Sequence, residues 1–396
     1  MASVSKRKWK HNQEEKEAWV VRYVDQSGKR RMKTFEKKKE ADAYRFKIER
    51  EINDGIHTPD RCTLTMKDTV DEYLRDCDRR RKVGDRMAGG TLYGYKIIAE
   101  KHIVHSFGAR RINQINSLEI QDFVNEKGLK YARRTVTRIV LVLRNVLTFA
   151  VSRGWLKRNP MADQPPRVPG ATPERIEIPT KEELRSILEY LSVRRANEHH
   201  MAHYRRIVMV MLGLFAGMRR GEICGLTWEN IDFDKNVILV RHSYSVIDGL
   251  KAPKSRAGVR DIPMAAPVRA ALLQLQVELG EGATGLVMKT NRGTPLKPDD
   301  MYYWYWRPLC IAAGLVSEDG GAKYHFHALR HAAVSLLIEQ GLPPLHIKRI
   351  VGHASISLTM DTYGHLFPED DAARHAVDRA ASLLSGARAQ QISVSN

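Results

Sequence analysis

Arg219, Lys254, His327, Arg330, His353 and Tyr363 place two guanidinium groups, an ammonium, two imidazoles and a phenol in one stretch of chain. Such a set suits a phosphate: guanidinium groups pair with its oxygens, and imidazole and ammonium groups move protons. In "LFAGMRRGEICGLTW" an apolar helix breaks at Gly217 and arginines follow at once. Arg219 stands at a turn near a new helix start, where backbone N–H groups and a guanidinium together suit an anionic oxygen. Pairing with Glu222 or Glu229 is the competing reading, and Glu222 reads as structural, held by a nearby arginine. Lys254, in "KAPKSRAGVRDIP", occupies the turn side of a strand pair. From a mobile hairpin it can donate a proton to a leaving oxygen, but it is also one of many lysines. His327 and Arg330 lie three apart at the start of the apolar helix in "YHFHALRHAAVSLLIEQGL", so they share one face. His353 and Tyr363 follow in "IVGHASISLTMDTYGHLF".

Other histidines offer a metal. His325 and His331 flank the same helix, yet the carboxylates that complete a hydrolytic metal site are missing nearby. His199, His200 and His203 in "NEHHMAH" have helical metal spacing, but a surface patch explains them. The aromatic run "MYYWYWRP" reads either as core or as a DNA-facing surface.

These groups need elements to position them. "AWVVRYVD" and "RRMKTF" read as two strands turning at Gln26, Ser27 and Gly28. A helix follows with Tyr44, Ile48 and Ile52 four apart, and Gly55 stops it. From Thr63 to Pro160 the pattern is helical. Thr65 and Asp68 form a capping-box pattern, and "SLEIQDFV" opens another helix. In "TVTRIVLVLRNVLTFAVSRG", Val136, Ile139, Val140, Leu143, Val146, Leu147 and Ala150 line one face and Gly154 ends it. Arg133, Arg134, Arg138 and Arg144 beside that face either contact phosphates or form a solvated flank. "RNPMADQPPRVPGATPERIEIP" reads as an extended linker because of its prolines. Thr180 and Glu183 restart the helical pattern, and "NVILVRHSYSV" and "GVRDIPM" make a short strand pair. The expected fold is mainly α with small β elements (α+β). Its parts are residues 1–60, a β-sheet and helix; 61–165, helical; 166–179, linker; 180–385, mixed; and 386–396, a polar tail.

The chain has 396 residues, of which 43% are hydrophobic, enough for two or three domains with true cores. Its formal net charge of +19 favours a polyanionic partner, nucleic acid or an anionic surface. No apolar run is expected to be long enough to span a bilayer, and the first residues lack a signal core. The four cysteines, Cys62, Cys77, Cys224 and Cys310, are scattered and suggest neither a zinc site nor disulfides. A reduced, cytoplasmic protein that meets DNA or RNA is expected.

Taken in order, an arginine, a hairpin lysine, His-x-x-Arg, Gly-His and a tyrosine resemble the signature of the tyrosine site-specific recombinases, specifically the phage-type integrases. The signature falls on Arg219, Lys254, His327, Arg330, His353 and Tyr363. Ala216, Ala328 and Ser255 depart from residues common in the family, and none is a reacting group.

The resemblance implies an arm-type DNA-binding domain at residues 1–60, a core-binding domain at 61–165 and a catalytic domain at 180–385, together forming a DNA clamp. It also implies strand exchange through a 3′-phosphotyrosine, with Tyr363 the nucleophile and His327 accepting or sharing its proton. Lys254 would be the acid, Arg219 and Arg330 the phosphate clamp, and His353 a phosphate donor. Neither metal nor ATP nor any other cofactor is implied. The implied partners are double-stranded attachment sites, a homo-tetramer on paired sites joined by C-terminal tails ("AARHAVDRAASLL"), and accessory DNA-bending and directionality proteins. The rival readings are a chromosome-dimer or transposon resolving recombinase, a type IB topoisomerase, a non-catalytic DNA-binding regulator and a zinc hydrolase.

Overall fold

The structure, a computed structural model, describes residues 2–367 except 12–13, 26–27, 54–63, 86, 172–175, 197, 254 and 281–282, together with residues 379 and 381–382. The chain divides into two compact units, between residues 174 and 175.

The first unit opens with an antiparallel sheet, β1 (Ser3–His11), β2 (Glu14–Val24) and β3 (Arg30–Phe35), in that order. β2 and β3 are the expected strands, and Gly28 at their turn has φ of 77°. β1 has basic residues that hide any strand alternation in the sequence. Its pairing with β2 recruits it: Lys6 lies opposite Trp19 and bonds Glu17 at 2.8 Å. Val21 and Tyr23 pack with Ala41 and Ile48 of α1 (Lys38–Asn53), which Tyr44 and Ile52 flank.

The helical part comprises α2 (Met66–Lys82), then α3 (Gly89–Ile98), which passes through a π-helical turn into α4 (His105–Phe107). α5 (Ser117–Lys130) and α6 (Arg133–Ser152) follow. Thr65 and Asp68 cap α2 reciprocally, as do Asn116 and Glu119 on α5. All seven expected core positions of α6 are buried, and Gly154 ends it with φ of 73°. By length and composition alone α6 is long and apolar enough to cross a membrane, contrary to the sequence reading. Its apolar face instead forms the bundle core, and Arg134, Arg138 and Arg144 are exposed on its flank. Arg133 has a structural task, donating to the carbonyls of Val168 and Gly170 at 2.6 and 2.9 Å. Gln121 exchanges two bonds with the Arg167 backbone. The first part of the proline-rich stretch is therefore docked on α5 and α6.

In the second unit α7 (Lys181–Ser192) begins with the Thr180–Glu183 capping box and precedes α8 (His200–Leu214) and the short α9 (Arg220–Cys224). β4 (Ile231–Asp232), β5 (Val237–Val240) and β8 (Arg260–Pro263) form one antiparallel sheet. β6 (Ser243–Ser245) and β7 (Gly249–Lys251) form a separate hairpin. The expected strand pair is thus β5 with β8, extended by β4. α10 (Ala266–Leu279) follows, then α11 (Pro298–Asp300), a π-helical segment (Met301–Trp306) and α12 (Arg307–Ala312). The aromatic run divides: Met301, Tyr305 and Trp306 enter the core, whereas Tyr303 and Trp304 are exposed. α13 (His327–Glu339), α14 (Pro344–Val351) and α15 (Ile356–Tyr363) complete the unit. Cys77, Cys224 and Cys310 are buried free thiols. Cys62, Gly55, the stretch 368–378 that holds most of the expected tail helix, and the polar tail 386–396 lie outside the described residues.

Candidate active site

Arg219 is the N-cap of α9, reached after the chain turns at Gly217 with φ of 57°. Its backbone N–H and Nη1 donate to Glu222 at 3.0 and 2.7 Å, and Nη2 donates to the carbonyl of Gly352 at 2.7 Å. Glu222, 3% exposed, is also held by Arg260 at 3.1 and 2.9 Å. Burial alone would raise the Glu222 pKa, but the hydrogen bonds and charge of Arg260, then Arg219, hold it below the ordinary carboxyl value. Both readings of Arg219 therefore meet: it pairs with Glu222, yet stays 37% exposed at the cleft.

Gly352 closes α14 in the left-handed region, φ 71°. A Cβ there would stand 2.8 Å from the Ala257 carbonyl oxygen and 2.9 Å from Arg260 Nη1. Only glycine fits both the backbone angle and that approach. Arg260 Nε donates to Ile350 at 2.6 Å, so this arginine ties β8 to α14.

Arg330, on α13, is 2% exposed. Its Nη1 donates to the Gly217 carbonyl, and its Nη2 is buried with no hydrogen-bond partner among the described residues. Burial, then the Arg219 charge, push its pKa down to about 9, so it remains a cation at neutral pH. His327, one turn before His331 on the same face, has its ring centroid 5.1 Å from that of His331. Surrounding protein, then the charges of Arg330, His331 and Arg219, push its pKa down to about 4. The exposed outer side of His327 moderates this shift, but the direction, a neutral imidazole at pH 7, stands.

His353 is buried behind Gly352, with Nδ1 2.9 Å from Thr359 Oγ1. Burial, then Arg330, push it down to about 3. Its ring lies parallel to Tyr363, 7° between planes and 6.4 Å between centroids. Tyr363 ends α15, is 2% exposed, and packs on Val334, Ile338, Ile347 and Val351. Burial pushes the phenol up to about 12, partly offset by the Arg330 charge. Its hydroxyl lies 2.5 Å from His331 Nδ1.

Five of the six expected residues thus belong to one unit and four of its elements, α9, α13, the α14 C-terminus and α15. Lys254 lies outside the described residues. Arg260 and Thr359 are not among the residues the sequence points to, and His331 enters there only as a metal candidate. The period of two along β8 carried a signal for Arg260, which shares the inward face with Ile262 and so requires a buried acid. His331 carried one too, four residues after His327. Of the other histidines, His199, His200 and His203 have separate partners, Asn291, Glu278 and Glu198. Among the described residues no cluster of three or more His, Cys, Asp or Glu could hold a metal ion. Beside Arg219 and His327 lies a cavity of about 730 Å³, also lined by Arg220, Tyr302, Tyr303 and His325.

Arg219 at the cavity, the buried Arg330 behind it, neutral imidazoles and a phenol are a set whose chemistry suits a phosphate and a protein nucleophile. The model of the phage integrase family matches residues 178–370, and that of the phage integrase N-terminal SAM-like domain matches residues 65–128. The tyrosine recombinase XerC-like protein of Caldanaerobacter subterraneus is 25% identical over 87% of this chain and 90% of its own length. The ICEBs1 integrase of Bacillus subtilis is 26% identical over 88% and 90%. In fold, the chain is similar to the Tn1549 transposon integrase in complex with transposon right-end DNA (TM-score 0.65, 22% identity, 81% of this chain and 100% of that one). It is also similar to a lambda integrase tetramer bound to a Holliday junction (TM-score 0.56, 18% identity, 85% and 94%). The chain belongs to the phage integrase family, the tyrosine recombinases that transfer DNA strands in site-specific recombination.

Proposed function

We propose that this recombinase integrates and excises a mobile element at double-stranded attachment sites through a 3′-phosphotyrosine formed on Tyr363. Arg219 and Arg330 bind the non-bridging oxygens of the scissile phosphate. His327 and His353 bring neutral imidazoles to the same phosphate, and Lys254 protonates the departing 5′ oxygen. The observation that carries this reading is the Nη2 of Arg330, buried and without a hydrogen-bond partner among the described residues, a cationic donor suited to an anionic acceptor. A phosphodiester oxygen satisfies both its charge and its hydrogen-bonding capacity. The free energy of the cleaved bond stays in the tyrosyl ester, so the reverse attack by a 5′ hydroxyl needs no ATP.

The finer parts of the reading are a homo-tetramer on paired sites, residues 1–60 as an arm-type domain, 61–165 as a core-binding domain and 180–385 as the catalytic domain. Accessory DNA-bending and directionality proteins, action in the bacterial cytoplasm and catalysis without a metal belong to it as well. A resolving recombinase of the same chemistry is the second reading, and the XerC-like relative favours it. The basic sheet of residues 3–35 favours the integrase, because it offers a further DNA-binding surface.

The test uses a nicked duplex carrying the attachment sequence, incubated with protein in EDTA without ATP. A covalent adduct on a denaturing gel that vanishes with Tyr363→Phe supports the reading. Tight, salt-sensitive binding without an adduct overturns it in favour of a silent DNA-binding protein.

A further inference from the structure

Resting on that reading, we infer that His331, rather than His327, takes the proton of Tyr363 when the phenol attacks. The hydroxyl of Tyr363 lies 2.5 Å from His331 Nδ1, the one side-chain hydrogen bond it makes among the described residues. The two rings are tilted by 47° with centroids 5.8 Å apart, so the contact is an edge approach through nitrogen, not a stack. His327 lies one turn earlier on the same helix face and lines the cavity with Arg219, where it meets the phosphate instead.

The groups facing His331 fix the direction of this bond. On its own helix are Arg330 and His327; from α15 comes Tyr363, and from the segment after α14 comes His353. Burial, then Arg330, lower the imidazole pKa, while burial raises the phenol pKa. The phenol is therefore the donor and Nδ1 the acceptor, which leaves the ring proton on Nε2. In the step, the Tyr363 O–H bond breaks and its proton moves to Nδ1. The phenolic oxygen bonds to phosphorus, the bond from phosphorus to the 5′ oxygen breaks, and that oxygen takes the proton of Lys254. The 5′ hydroxyl of the new strand reverses each transfer. Once charged, His331 stands beside Arg330, so it returns the proton readily when the ester breaks.

Single-turnover cleavage of the nicked duplex by wild type, His331→Gln and His331→Asn tests this. The amide of glutamine keeps an acceptor for the phenol but cannot take its proton. Loss of a positioned acceptor lowers the rate by about 10²–10⁴-fold. That loss is expected in both variants, with DNA binding and melting temperature near wild type, and it narrows as pH rises towards the phenol pKa. A substrate with sulfur at the 5′ bridging position needs no acid for its leaving group. It rescues Lys254→Ala and leaves the His331 defect in place. Cleavage by a folded His331→Gln at or above the wild-type rate overturns the inference, because the contact then merely parks the tyrosine. Rescue by the sulfur substrate also overturns it, placing His331 on the leaving-group side. If glutamine unfolds the protein, the asparagine variant gives the same two readings. A wild type that forms no adduct would bring down the proposed function itself, which keeps the two failures apart.

Discussion

Glu222→Ala removes the carboxylate that joins Arg219 to Arg260. Arg260 and Glu222 side chains are 5% and 3% exposed, so their pair keeps its full weight, whereas the Arg219 pair at 37% exposure is largely screened. Breaking a buried pair from one side costs about 3–5 kcal/mol, because the other charge stays buried without compensation. In a unit of this size each kcal/mol lowers Tm by about 2–4 °C, so the second unit should melt roughly 6–20 °C lower. Differential scanning calorimetry on wild type and variant reads this directly. The acid limb checks the sign. Glu222 titrates below its ordinary 4.5 in the folded protein, so its contribution is complete above that pH and is lost as pH falls through the folded value. The gap between wild type and variant should therefore close on acidification. Glu222→Leu with Arg260→Met, which removes both charges, should recover most of the Tm. It should not recover cleavage, since Arg219 still lacks its anchor. A Tm within about 2 °C of wild type for Glu222→Ala would refute the buried-pair reasoning.

Gly352→Ala should cost more than about 1 kcal/mol, because φ is positive and the Cβ meets the Ala257 carbonyl oxygen at 2.8 Å. Its cleavage rate should fall further than its DNA affinity, since Arg219 and His353 both depend on this turn; a single-turnover assay beside a gel shift separates the two. Leu143→Ala, at a fully buried position of α6, should destabilise the first unit by about 2–5 kcal/mol in urea, leaving the transition of the second unit in place. His353 titrates near 3 in the folded protein against an ordinary 6.5, so its contribution is complete above 6.5 and is lost as pH falls towards 3. Across that window it adds about 1.4 kcal/mol per pH unit to the slope of stability, and His353→Asn should flatten the slope by that amount. If the protein neutralises roughly 8 phosphates, affinity for duplex should fall with a log–log salt slope of about −7, and a slope near zero would contradict binding through the phosphates.

The α-helices were legible because apolar spacing and caps act locally. Val136 through Ala150 name the buried face of α6 from their period alone, and Thr65, Thr180 and their acidic partners mark two starts. β1 was not legible, because a basic strand is made by its neighbour: only pairing with β2 gives Lys6 and Lys8 a structural place. The site divides in the same way. Arg219, His327, Arg330, His353 and Tyr363 are candidates by residue type and order, and the fold brings them into one unit. What each touches depends on tertiary packing, which no spacing carries. The resemblance implies that His327 takes the proton of Tyr363, since both residues belong to one ordered signature. The fold puts His331 against that hydroxyl instead, because α15 packs one turn further along α13. The same packing buries the phenol and raises its pKa, so the proposed nucleophile cannot readily ionise alone. A burial that protects the nucleophile from water must therefore supply its own proton acceptor, and a second histidine on the same helical face meets that requirement.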